Sequence, residues 1–244
     1  MRLHVIATGS TGNAYVLDAG TDQLLLDAGV RWPRIQEALG FDLSRLRAAL
    51  VTHEHQDHAK AAGELAKAGI PVVMTEGTRA ALGLTSHRIQ TYAHGDSFRL
   101  GSFTCLQFDT QHDAAAPCGW MVRHRGETLL YATDTFYLRV VPRGVNYFLV
   151  ECNYVADTLD ASIASGRIPA AMKPRLLKSH FELGNVVRFL RAADLSRARK
   201  IVLVHLSDSN SDERHMVETI QDATGIDTVA ARAGMNIELE LTPF

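Results

Sequence analysis

The chain has 244 residues, 46% of them hydrophobic and 21% charged, and carries a formal net charge of −2 at neutral pH. Such a length can bury a full core, and the balance is that of a soluble globular protein, which excludes disordered, collagen-like and disulfide-scaffold classes. No run of 18 apolar residues is present, so no membrane span is expected, and the small net charge alone points to no partner.

In chain order, residues 3–8 form the first predicted strand, with no signal peptide ahead of it. Further short strands are expected over 14–18, 23–27 and 48–52, separated by glycine-containing turns. Predicted helices cover 34–39, 59–68 and 78–82. A second strand-rich stretch follows over 97–100, 103–109, 119–124 and 128–132, with His124-Arg125-Gly126-Glu127 as a hairpin turn. The remainder reads as strand 147–151, helices 156–165 and 184–193, strand 200–204 and helix 212–223. No linker, repeat or low-complexity segment interrupts this order. Two mostly β halves, each closed by helices, are expected to pack as an α+β fold of αββα type. It would have two mixed sheets face to face with helices outside, in a single domain over 1–244.

The densest chemistry lies in His53-Glu54-His55-Gln56-Asp57-His58, between an apolar run at 48–51 and an alanine-rich helical stretch. Alternate residues of an extended segment point the same way, so His53 and His55 can grip one ion together. Asp57 and His58 follow the bend and can grip a second. A lone histidine is more often a hydrogen-bonded core or surface residue. Three histidines and an aspartate within six residues reverse that preference in favour of metal. Nitrogen and oxygen ligands without sulfur suit zinc, manganese or iron. The three cysteines, Cys105, Cys118 and Cys152, show no CxxC spacing, which fits a reducing cytoplasm better than a disulfide framework.

A two-metal site needs more than four protein ligands and a carboxylate between the ions. His112 follows the predicted strand 103–109, Asp134 follows 128–132, and His205 follows 200–204. Each is a polar residue at the C-terminal end of an apolar strand, as His53 is. Taken singly, each also reads as a turn former or surface residue, but their shared placement adds them to the candidate ligand set.

These motifs, in this order, resemble the metallo-β-lactamase-fold hydrolases. The finer resemblance is to the WalJ/YycJ-type DNA exonuclease family, a relative of ribonuclease Z and of phosphonate-pathway phosphodiesterases. It rests on the loop Ala7-Thr8-Gly9-Ser10-Thr11-Gly12-Asn13, on Thr52-His53-Glu54-His55-Gln56-Asp57-His58, and on His112-Asp113-Ala114-Ala115-Ala116-Pro117. Thr133-Asp134-Thr135, Glu151-Cys152-Asn153 and His205-Leu206-Ser207 with Asn210 complete it. Two places depart from the family pattern. The Gly-His-x-Ser-Asn element reads here Ser179-His180-Phe181-Glu182-Leu183-Gly184-Asn185, and the final double asparagine is Asn210-Ser211.

The resemblance implies two divalent ions, manganese or zinc. His53, His55 and His112 would hold one, Asp57, His58 and His205 the other, with Asp134 and a water bridging them. It implies phosphodiester hydrolysis, most simply by a DNA 5′-exonuclease, with Asp57 as proton acceptor and His180 as general acid, the role of a similarly ordered histidine in ribonuclease Z. Substrate contacts would come from Ser10, Gly12, Asn13, Ser207 and Asn210. Residues 139–200 hold eleven Lys and Arg against five Asp and Glu, a net +6 while the rest of the chain carries −8. Such a stretch is either a polyanion-binding face, with Arg175 and Lys178 nearest His180 in sequence, or a solvated helical surface. DNA is the expected partner ahead of RNA. The 70 residues between Asp134 and His205 are too few for the inserted domain of a ribonuclease J type. A small-molecule or cyclic-nucleotide phosphodiesterase and a non-catalytic nucleic-acid-binding protein are the alternatives. Complete retention of seven ligands argues against the second.

Overall fold

A computed structural model describes residues 1–239. The first half begins with an antiparallel meander of β1 (Arg2–Ala7), β2 (Ala14–Asp18) and β3 (Gln23–Leu26). After α1 (Trp32–Ala38) the pairing becomes parallel. β4 (Leu46–Leu50) adds to β3, and after α2 (Gln56–Ala59) and α3 (Ala62–Lys67) β5 (Val72–Met74) adds to β4; β6 (Ile89–Thr91) follows α4 (Glu76–Leu82) and pairs with β5. The second half repeats this pattern. β7 (Ser97–Leu100), β8 (Phe103–Asp109), β9 (Cys118–His124) and β10 (Glu127–Ala132) pair antiparallel. Next comes β11 (Tyr147–Glu151), parallel to β10. The helices α5 (Ala156–Ala164), α6 (Lys173–Ser179) and α7 (Leu183–Ala192) lead to β12 (Lys200–Val204). Helix α8 (Glu213–Thr224) then leads to β13 (Thr228–Ala230), both strands parallel to their neighbours. The last strand, β14 (Asn236–Glu238), returns to pair with β1. Among the described residues each sheet has seven strands, and the expected αββα sandwich is what forms.

Alternation along the strands builds three apolar layers. Leu3, Tyr15 and Leu24 of one sheet meet Trp120, Leu129 and Leu149 of the other between the sheets. Their neighbours face outward: Ile6, Val16 and Leu25 lie under α1 and α3, and Leu130, Phe148 and Ile201 under α7 and α8. Strands such as β11 are buried on both faces and so read as unbroken apolar runs.

The predicted helix over 59–68 is two helices. Ala61 N–H donates to Ala28 O at 2.9 Å, tying the chain to the loop after β3 and breaking the helix there. Helix α2 begins earlier than expected, with His55 as its extended N-cap, so Asp57 and His58 lie in its first turn. Helix α6 was not expected at all. Pro174 sits in its first turn, where a missing N–H costs nothing.

Candidate active site

Strand ends of both sheets converge on one edge of the sandwich. β3 delivers Asp27, β4 the hexapeptide, β10 Asp134 and β12 His205. Among the described residues only Asp27, Phe41, Arg125, Asp134 and His205 combine a side chain with positive φ. Three of these five are at this edge, with φ of 55°, 46° and 53° for Asp27, Asp134 and His205. A left-handed residue turns the chain sharply as the strand ends. Asp and His tolerate that conformation better than branched residues do, and such strain collects at functional sites.

The side chains form two groups. In the first, His55 Nδ1 lies 3.1 Å from both His53 Nε2 and His112 Nε2. In the second, His58 Nε2 lies 3.5 Å from Asp57 Oδ2 and 3.1 Å from Asp134 Oδ1. His205 completes it, with Nδ1 against Asp134 Oδ1 and Nε2 3.9 Å from Asp57 Oδ2. Asp134 stands between the groups. Its Oδ1 meets His58 and His205, while its Oδ2 lies 3.6 Å from His112 Nε2 and 4.0 Å from His53 Nε2.

This donor set fits divalent metal. Nitrogens on a tetrahedron around an ion at 2.0–2.1 Å stand about 3.3 Å apart, close to the spacing in the first group. Three imidazole nitrogens pointed at one another have no hydrogen-bonding arrangement that satisfies all of them, whereas a shared cation does. Second contacts fix which nitrogen faces inward. His58 Nδ1 lies 2.7 Å from Asp27 Oδ2, His53 Nδ1 3.0 Å from Thr52 Oγ1, and His112 Nδ1 2.9 Å from Ser179 O.

The two groups differ electrically. Burial, then the neighbouring His58, pushes the His53 imidazole well below its usual pKa, and burial also lowers His112. Burial opposes charge on His58 too, but the Asp134 and Asp27 carboxylates outweigh it and raise His58 well above the usual range. Burial would raise Asp134, yet His205 and His58 hold it well below the ordinary carboxylate value. Asp57 is lowered in the same way, its hydrogen bond from His58 overriding burial.

His180 lies at the far side, its Nδ1 2.6 Å from Glu151 Oε1 and 4.0 Å from Asp134 Oδ2. Glu151 is fully buried and also accepts from the N–H groups of Thr135 and Phe181 at 2.9 and 3.1 Å. Burial favours neutral His180, but the Glu151 charge and hydrogen bond, with Asp134 and Asp113, push it up to about 9.

The model of the metallo-β-lactamase superfamily matches residues 7–177. Exodeoxyribonuclease YycJ of Bacillus anthracis is 35% identical over 234 residues, covering 87% of this chain and 86% of that protein. Exodeoxyribonuclease WalJ of Streptococcus pneumoniae is 29% identical over 229 residues, covering 85% and 82%. The chain belongs to the metallo-β-lactamase superfamily, in the YycJ/WalJ family. Among solved structures, the metallo-β-lactamase fold protein YhfI from Bacillus subtilis superposes with a TM-score of 0.77 at 18% identity, covering 97% of this chain and 99% of that one. The protein is thus an enzyme of hydrolase fold whose His and Asp clusters suit divalent metal.

All seven candidate ligands and His180 of this superfamily member stand together. The expected substrate contacts are more scattered. Ser10 is exposed, whereas Gly12 and Asn13 are buried. Asn13 Oδ1 accepts from Gly9 N–H at 3.0 Å, and its Nδ2 reaches Gly9 O, Asp57 O and His58 Nε2 at 3.1–3.3 Å. It therefore braces the second group and presents no free edge to a substrate. Asn210 is buried with Oδ1 unpartnered, and Ser207 N–H donates to Asn153 O at 2.9 Å. Arg175 is exposed and paired with Asp113, while Lys178 makes no ion pair with a described carboxylate. The displaced asparagine, Asn185, occupies the first turn of α7, whose N-cap is Glu182.

Asp27 was missed by the sequence reading. A single acid before Ala28-Gly29 looks like a turn residue, and only the fold shows it fully buried against His58, Thr52 and Tyr131. Glu151 lies in the Glu151-Cys152-Asn153 motif, but its grip on His180 has no signal in sequence spacing.

Proposed function

We propose that this protein is a single-domain, two-metal nuclease that hydrolyses phosphodiester bonds of DNA from the 5′ end. The observation that carries the reading is Asp134, whose two oxygens face two separate ligand groups. A carboxylate so placed is suited to hold two cations at fixed spacing. The family supports nucleic acid as substrate, since the relatives YycJ and WalJ are named exodeoxyribonucleases.

His53, His55 and His112 would hold one ion, and Asp57, His58 and His205 the second, with Asp134 shared. Two divalent ions, manganese or zinc, would acidify a water and neutralise charge developing on the phosphodiester. The chain's own groups do the rest. Asp57, about a quarter exposed at its side chain, is the proton acceptor at the open side of the second group. Glu151 occupies His180 Nδ1, which leaves Nε2 to deliver a proton to the departing 3′-oxygen. Glu151 and Asp134 keep that imidazole protonated at neutral pH, as a general acid requires.

The test is incubation of metal-reconstituted protein with end-labelled single- and double-stranded DNA and RNA. Stepwise loss of mononucleotides from the 5′ end of DNA is expected. Hydrolysis of a small diester or a cyclic nucleotide without any degradation of DNA would replace this reading with that of a small-molecule phosphodiesterase.

A further inference from the structure

A pocket of about 420 Å³ opens beside the second ligand group, lined by Thr11, Val30, Arg31, Arg34, Glu37 and Lys60 among others. It holds three cations against one acid. None of the three is ion-paired to a described carboxylate; Arg34 gives one Nη2 hydrogen bond to Ile6 O at 2.8 Å. All three are exposed.

The pocket is joined to the reacting centre by backbone packed without side chains between. A Cβ on Gly12, next to Thr11, would stand 2.6 Å from Gly29 O, and one on Gly29 would stand 1.7 Å from Asp57 O. Asn13 N–H donates to Asp57 O at 2.7 Å across the same contact. Lys60, the C-cap of α2, follows Asp57 by three residues, which puts it one turn further along the same helix face. Three helical residues advance about 4.5 Å, and a duplex advances about 3.4 Å along its axis per phosphate of one strand, so this separation is on the scale of neighbouring phosphates.

The basic stretch over 139–200 is a weaker counterpart. Four of its cations are already neutralised in the ion pairs Lys173–Asp160, Arg175–Asp113, Arg199–Glu127 and Lys200–Asp227. The charge excess of the stretch is therefore partly cancelled by Asp113, Glu127 and Asp227, three acids from outside it.

We infer that the pocket lined by Arg31, Arg34 and Lys60 is a backbone track, holding the phosphates of a nucleic-acid strand that neighbour the scissile one. This rests on the nuclease reading and adds to it where the strand runs. The contacts are to phosphate, so they position the strand without reading its sequence.

The experiment measures KM for DNA against salt on metal-loaded protein. The variants are Arg31→Glu/Lys60→Glu, the milder Arg31→Gln/Lys60→Gln, and Arg175→Glu/Lys178→Glu for comparison. Melting temperature and metal content establish that each variant is folded and loaded. Removing two phosphate contacts should flatten the dependence of log KM on log salt by roughly 1.4 for single strands and 1.8 for duplex. At moderate salt KM should rise about tenfold, the sum of two exposed charge contacts at their usual strength. The milder pair should show the same change in slope with a smaller rise in KM. If wild-type protein degrades DNA and both Arg31/Lys60 variants keep its KM and slope, the pocket is not the track and the nuclease reading stands. If wild-type protein leaves nucleic acid intact, both readings fall.

Discussion

In the group of His53, His55 and His112, the nearest support behind His53 is the Thr52 hydroxyl and behind His112 the Ser179 carbonyl, with the half-exposed Asp113 carboxylate further off at 3.4 Å. His58, in the adjacent group, leans instead on the buried carboxylate of Asp27. Asp27 is held in turn by Thr52 N–H at 2.8 Å and Tyr131 O–H at 2.6 Å. In the first group burial lowers His53 and His112, whereas the second is a web of opposite charges. Two ligand groups in one cleft are thus built by different means. A buried charge orients strongly but is costly when one partner is lost, whereas a dipole orients weakly and is lost cheaply. The two groups should therefore respond unequally to changes in their supports, and equally to loss of the residue they share.

Asp134→Ala tests the shared residue and should have the largest effect. Removing the carboxylate that faces both groups should lower DNA cleavage by roughly 10³-fold or more, since metal-based charge stabilisation is worth several kcal/mol. Circular dichroism should stay near wild type. Near-normal cleavage would mean that the two groups act independently.

His180→Ala marks where the charged group ends. His180 shares Asp134 and Glu151 with His205 and lies within ligand distance of both carboxylates. As a general acid it should contribute about 10²–10⁴-fold to kcat. Metal content, read by elemental analysis, should not change. A parallel fall in metal content would make His180 a ligand and enlarge the second group.

Asp27→Asn addresses the comparison directly. Loss of a carboxylate behind a metal-binding histidine typically costs about 10–100-fold in affinity. Calorimetric titration should show that loss in one ion's affinity while the other, held by the three histidines, stays within a few-fold. Equal weakening of both ions would show that Asp27 supports the whole cleft.

The unequal visibility of these residues in the sequence has a physical cause. Ligands that share one strand–helix turn are adjacent in sequence, so the hexapeptide is legible; His112, Asp134 and His205 are legible because a polar residue closing an apolar strand stands out. Asp27 obeys that same rule at the end of β3, yet nothing near it in sequence pairs with it. Its partners are 25 to 104 residues away. The longer strands were readable as apolar or alternating runs, but β5, β6, β13 and β14 have three residues each, too few to show a period. The basic stretch shows a limit of the opposite kind. Counting charges along the chain credits cations whose acidic partners, such as Asp113 and Glu127, arrive only with folding.

Tyr131→Phe should give the smallest effect and is the sharpest probe of how the second group is held. Tyr131 is fully buried between the sheets, edge-on to Tyr15 at 5.7 Å, so the ring keeps its packing when the hydroxyl is removed. Burial and the Asp27 charge hold that hydroxyl well above its usual pKa, so it is a permanent donor. Losing a hydrogen bond to a buried carboxylate costs about 2 kcal/mol, which in a chain of this length lowers Tm by about 4–8 °C. Asp27 retains His58 and Thr52 as partners, so affinity for the second ion should fall by roughly fivefold or less, under the range expected for Asp27→Asn. Thermal unfolding of the metal-free and metal-loaded forms separates the two effects. A Tm drop of the same size in both forms would mean that Tyr131 braces the core alone. A larger drop with metal bound would place its hydroxyl in the chain of contacts that runs through Asp27 and His58 to the ion.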